Sequence, residues 1–117
     1  MRNEYQYIDM RYLNEVSSNK EFQKKIFDLF RLEVATYEIK MIKALEEKSY
    51  IELADLAHKA KSSVSVLGMK NQAEAMKKLQ TDITHNINSD SYVLRINQFL
   101  QDCHKALQEI NETENNV

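Results

Sequence analysis

The residues with chemical potential are concentrated in one stretch, Leu56-Ala57-His58-Lys59-Ala60-Lys61-Ser62-Ser63-Val64-Ser65-Val66-Leu67-Gly68. An imidazole is a nucleophile near neutral pH, because about half of it is unprotonated at its ordinary pKa of about 6.5. Covalent catalysis uses such a nitrogen to accept a group and hand it on. Lys61 and Lys59 beside His58 would offset the charge of a bound phosphoryl group. Ala54, Ser62, Ser63 and Ser65 are short, so another protein surface could come close to the ring. Ile51 and Met69 project on a similar bearing and supply apolar contact for a docking partner.

These residues need a helix to hold them, and the sequence predicts one from Ser49 to Leu67. Ser49 with Glu52 fits a capping box at its start, and Gly68, the single glycine of the chain, fits its C-terminal stop. At 3.6 residues per turn, Leu53, Leu56, Ala60, Val64 and Leu67 share one side as a core stripe. His58 falls almost opposite, toward solvent. Its neighbours on that outer face are Ile51, Ala54, Lys61, Ser62 and Ser65.

The stretch resembles the motif of histidine-containing phosphotransfer (HPt) domains: a histidine, a lysine three on, usually a glycine four on, a small residue five on and a glycine ten on. The chain agrees at His58, Lys61, Ser63 and Gly68, and departs at Ser62, where the family usually has glycine. Gln80 is similar to a glutamine that some members place beside the histidine on the next helix. The resemblance implies an up-down four-helix bundle with a short additional N-terminal helix. It also implies a phosphorelay carrier rather than an enzyme. His58 would accept a phosphoryl group from a receiver-domain aspartyl phosphate and pass it to a response regulator. Lys61 and Lys59 would screen the phosphate, and Gln80 would hold the ring. The implied partners are the receiver domains of a hybrid histidine kinase and of a response regulator. Magnesium and the rest of the machinery would belong to the receiver, so no cofactor or metal is expected on this chain.

Composition agrees with a helical domain. The chain has 117 residues, no proline and one glycine, which suits a single all-α domain spanning 1–117. A formal net charge of -2, with no basic stripe, argues against nucleic acid as a partner. One cysteine, Cys103, excludes an internal disulfide and fits a reducing compartment. No signal peptide or membrane-length apolar run is visible, so the expectation is a cytoplasmic protein.

In chain order, 1–8 reads as a loose lead-in, and 9–16 as a short helix with Tyr12, Leu13 and Val16 inward. Ser18 with Glu21 would cap a long helix over 19–48, with Phe27, Phe30, Val34, Tyr37, Met41 and Ala44 inward and Phe22, Ile26 and Leu45 flanking. Its charged face, with Lys24, Lys25, Glu38 and Lys43, reads as solvated surface. Asn71 with Glu74 would open a helix over 71–86 that buries Ala73, Met76, Leu79 and Ile83. A turn follows at 86–90. The last helix, 91–111, carries Tyr92, Ile96, Phe99, Cys103, Leu107 and Ile110, and 112–117 should fray. The chain supplies four apolar stripes, so a monomer is sufficient.

The other candidates are weaker. His85 and His104 lack the lysine and small-residue setting of His58. Cys103 and His104 are adjacent and so point about 100° apart on a helix, a poor metal pair. No Glu-x-x-His pair, phosphate loop or nucleophile elbow occurs. Two alternatives stand beside the carrier reading. One is a helical interaction module that binds through the Ile51–Met69 face without phosphotransfer. The other is the histidine-bearing domain of a chemotaxis-type kinase.

Overall fold

A computed structural model describes residues 5–115, which are helical apart from short connections. The elements are α1 (Met10–Val16), α2 (Lys20–Glu47), α3 (Tyr50–Ser65), α4 (Lys70–Thr84) and α5 (Tyr92–Asn115), the last entered through a 3-10 turn at Ser89–Ser91. Helix α2 packs on α3 and α5, α3 on α4, and α4 on α5, so the four long helices enclose one apolar core. Among the described residues no helix is long and apolar enough to cross a membrane.

The apolar periodicity decides which faces close. On α2 the inward residues are Phe27, Phe30, Val34, Tyr37, Met41 and Ala44, as their spacing predicts, with Ile26 and Leu45 half-buried at the edges. Phe22 is instead exposed, and Gln23 takes the buried position one residue on. Its amide donates to Asn14 Oδ1 (2.9 Å) and to the Ser17 carbonyl (2.6 Å), tying the end of α1 to the start of α2. On α4 Met76, Leu79 and Ile83 are buried and Ala73 half-buried. On α5 Tyr92, Ile96, Phe99, Cys103 and Ile110 are buried together with Leu100 and Ala106, and Leu107 sits at the edge.

The helix ends differ from their expected signals. Asn19, not Ser18, caps α2, its Oδ1 accepting from the Phe22 N–H at 3.1 Å. Neither Ser49 nor the residue before α4, Met69, makes a side-chain cap, so the expected boxes Ser49/Glu52 and Asn71/Glu74 do not form. At both starts the chain turns sharply one residue before the cap position, at Lys48 (φ 54°) and Gly68 (φ 74°), and the cap residues Ser49 and Met69 take φ/ψ outside the extended range usual for a cap. Helix α4 stops at Thr84 because Asn86 and Asn88 both adopt positive φ (58° and 61°), a conformation asparagine tolerates. Helix α5 runs past the expected 111 to Asn115, because Arg31 of α2 reaches Asn111 (2.8 Å) and Glu114 and fastens the last turn.

The N-terminal segment is not a loose lead-in over its described part, residues 5–8; residues 1–4 lie outside the described residues. The N–H groups of Gln6, Tyr7 and Ile8 all donate to the Glu109 carboxylate, at 2.8, 2.9 and 2.9 Å. Ile8 is buried, and the Asp9 N–H donates to the Leu67 carbonyl (3.0 Å). Asp9 then caps α1 by accepting from the Tyr12 N–H (3.0 Å). Met10 and Leu13 are the inward pair of α1; Tyr12 and Val16, expected inward, are exposed. A helix this short presents one i, i+3 pair to the core, and the docking of Asp9 beside Gly68 selects which.

Gly68 ends the α3 turn at φ +74°, and a Cβ there would sit 2.6 Å from Asp9 Cβ. Both facts require glycine. Gly68→Ala is expected to cost about 1 kcal/mol from backbone strain alone, with displacement of Asp9 added to it. Urea unfolding measures this; a loss under about 0.5 kcal/mol, the size of an ordinary surface change, would mean the Asp9–Gly68 approach is not a constraint.

Candidate functional site

Helix α3 buries Leu53, Leu56, Ala57, Ala60 and Val64, and Leu67 just beyond it is also in the core. Ala57 and Ala60 are fully enclosed, which brings the neighbouring backbones close to α3. His58 is two residues from both Leu56 and Ala60, hence about 200° from each, and is exposed. Among the described residues its imidazole has no hydrogen bond or ion pair, so both ring nitrogens are open. The other two histidines are engaged. His85 Nδ1 donates to the Thr81 carbonyl (2.8 Å), and His104 Nε2 lies 2.8 Å from Glu38 Oε1, bridging α5 to α2.

The residues expected around His58 divide into three groups. Ser62, one turn on, is exposed and its hydroxyl makes no hydrogen bond among the described residues; Ile51, two turns back, is 92% exposed. With His58 they form the outer ridge of α3. A second group serves the fold. The Ser63 hydroxyl donates to the Lys59 carbonyl (3.2 Å), so it is Tyr37 that donates to Ser63 Oγ (2.7 Å). Burial raises the Tyr37 hydroxyl above its ordinary pKa and keeps it a donor. Ser65 donates to the Lys61 carbonyl (2.7 Å), and Ala54 packs half-buried against the core. The third group is away from the ring. Met69 is 1% exposed and lies in the core, where no partner can meet it. The turn at Gly68 rotates it off the bearing that a continuous helix would give. Gln80 is half-buried on α4 and makes no hydrogen bond to His58 among the described residues.

The two lysines are not equivalent. Lys59 Nζ lies 3.1 Å from Asp55 Oδ2, one turn back on the same helix. Both side chains are well exposed, so the pair is weak, but it points the ammonium back along α3. Lys61 is half-buried and has no ion pair among the described residues.

The structure adds a feature absent from the sequence reading. A groove of about 510 Å³ runs between α2 and α3, and His58 stands on its rim with Lys59 and Ser62. Ile26, Leu29 and Val66 give it an apolar lining, Glu33 a single negative charge, and Tyr37 and Ser63 its floor. Ile26, Leu29 and Glu33 follow each other at helical spacings along the edge of the α2 core stripe. That signal is in the sequence, but the flank of α2 that meets α3 is fixed only by packing.

Elsewhere, Cys103 is buried and its thiol is pushed up to about 12 by desolvation. Among the described residues no three His, Cys, Asp or Glu side chains converge as a metal site would need. No protein-family model matches the chain, and no curated protein or solved structure is significantly similar to it.

A thiol so buried should resist alkylation in the folded protein at neutral pH and react only after unfolding. Mass spectrometry after iodoacetamide treatment tests this; rapid labelling of native protein would place Cys103 outside the core.

Proposed function

We propose that the chain is a phosphohistidine carrier of the histidine-containing phosphotransfer type. The observation that carries this reading is His58: exposed, back to back with a buried stripe, with both ring nitrogens open and an apolar groove at its side. We further infer that α2–α5, joined by short connections, form an up-down four-helix bundle with α1 across one end.

In the proposed reaction the lone pair of His58 Nε2 attacks the phosphorus of an aspartyl phosphate on a receiver domain. The N–P bond forms as the P–O bond to the carboxylate breaks, and the aspartate leaves as an anion. Nδ1 keeps its proton. Attack by a receiver aspartate reverses the step and returns the lone pair to Nε2. The chain supplies the nucleophile and the docking face, while the receiver supplies the remaining catalytic groups; no free substrate is turned over. Lys61 is the favoured phosphate partner, because Asp55 already draws Lys59 away. Gln80 has no contact that supports its expected hold on the ring. Ser62 leaves the ring uncovered, since its hydroxymethyl group is small and unengaged. The receiver would seat an apolar surface in the Ile26–Leu29–Val66 groove, with Ile51 at the far end of the ridge.

A helical interaction module without phosphotransfer remains the second reading, favoured by the exposure of Ile51 and the apolar lining of the groove. Incubation with labelled phospho-receiver domains separates the two. A carrier acquires acid-labile, base-stable label on His58, and His58→Gln loses all of it while stability changes by about half a kcal/mol or less. Label that persists in His58→Gln would end the assignment, and binding without label would favour the module.

Two further variants test the site. Lys61→Ala should slow transfer or shorten the life of the phosphohistidine more than Lys59→Ala does; the opposite order would make Lys59 the partner cation. Ser62→Leu should keep its helical circular dichroism and block transfer by covering the ring, whereas Ser62→Gly should transfer like the parent. Parent-like exchange in Ser62→Leu would remove this ridge as the docking face.

A further inference from the structure

The outer side of α2 carries a run of apolar residues among its exposed lysines and glutamates. Leu32 is 65% exposed, Ile39 71% and Ile42 39%, and Ala35 between them is exposed as well. Ile39 is two residues from the buried Tyr37, so it points about 200° away from it, opposite the core. The four side chains recur at spacings of three, four and three, the a and d positions of two heptads. Among the described residues nothing covers them, and they lie beyond the groove beside His58.

We propose that this stripe pairs α2 with α2 of a second copy, in parallel and in register. The spacing is that of a two-helix seam, and one stripe used by both copies is complementary to itself about a two-fold axis. Charge selects the orientation. With Ile39 at an a position, Glu38 occupies g and Lys43 the following e. A parallel pair sets Glu38 of each copy against Lys43 of the other, twice over. An antiparallel pair aligned on the same four residues would oppose Glu38 to Glu38. Glu38 contacts His104 through Oε1, leaving Oε2 free among the described residues, and Lys43 has no ion pair among them. Asp28 and Glu46, at the next seam positions outward, end the apolar run at both sides. A seam of two heptads is small beside the roughly 1,200 Å² that stable complexes bury, so the pairing is weak and shows at high protein concentration. The inference does not depend on phosphotransfer.

Sedimentation equilibrium on the full chain tests it. Between about 10 μM and about 1 mM the average mass should rise from 13.8 kDa toward twice that value. Ile39→Glu should stay monomeric throughout with unchanged helical circular dichroism, since the site faces solvent. Ile51→Glu, on the α3 ridge and off the seam, should associate like the parent. Ala35→Cys should oxidise to a covalent dimer, because a parallel register brings the two copies of residue 35 face to face while Cys103 is buried. A parent that remains at 13.8 kDa at the highest concentration overturns the proposal. So does association that survives Ile39→Glu or is abolished by Ile51→Glu. A dimer in which Ala35→Cys does not cross-link overturns the parallel arrangement. If the parent stays monomeric and Ile39→Glu instead impairs exchange with a receiver, the stripe belongs to that contact and not to self-association.

Discussion

The arrangement around His58 rests on the burial of one side of α3. Leu53, Leu56, Ala57, Ala60 and Val64 are almost wholly removed from water, and together they fix the rotation of the helix about its axis. With that rotation fixed, position 58 has nowhere to go but outward. The two alanines matter as much as the larger side chains, because they let α3 sit close against its neighbours, as a larger residue at either position would not. The groove lies between α2 and α3, where Ile26, Leu29 and Val66 line an open cleft beside the ring.

The hydrogen bonds at the site are directed into the scaffold, not toward a ligand. Tyr37 and Ser63 join α2 to α3 within the groove, Ser65 returns to its own helix, and Asp55 engages Lys59. What remains free among the described residues is a short inventory: the ring of His58, the hydroxyl of Ser62 and the ammonium of Lys61.

Much of the fold was legible because apolar periodicity reports burial directly. Most inward residues of α2, α3 and α4, the exposure of His58 and the enclosure of Cys103 follow from spacing, whereas the buried Gln23, Ala57 and Asp82 lie outside the expected stripes. Helix ends were less legible: Ser18 is displaced as a cap by its neighbour Asn19, and the signals at Ser49 and Asn71 go unused where the chain turns at Lys48 and Gly68. Contacts remote in sequence were not legible at all. Nothing in the first eight residues announces that Glu109 will bind them, and nothing near Arg31 announces the extension of α5 to Asn115. Met69 was misplaced for a related reason: the reading carried the bearing of α3 past Gly68, where the chain turns. Within the site, the α3 ridge was readable because it lies on one helix. The α2 wall was not, because it depends on which flank of α2 faces α3.

The Glu109 carboxylate also bears on the order in which the chain acquires its structure. Its backbone partners lie 101 to 103 residues away, so the contact closes nearly the whole polypeptide into a loop. The entropy lost in closing a loop increases with its length, whereas the interfaces of α2 with α3 and of α3 with α4 join helices that are consecutive in the chain. Those local pairs form at lower entropic cost and carry most of the core. The amides of Gln6, Tyr7 and Ile8 thus meet their carboxylate across a longer loop than any other contact described above, and the strap carries the largest closure cost among them.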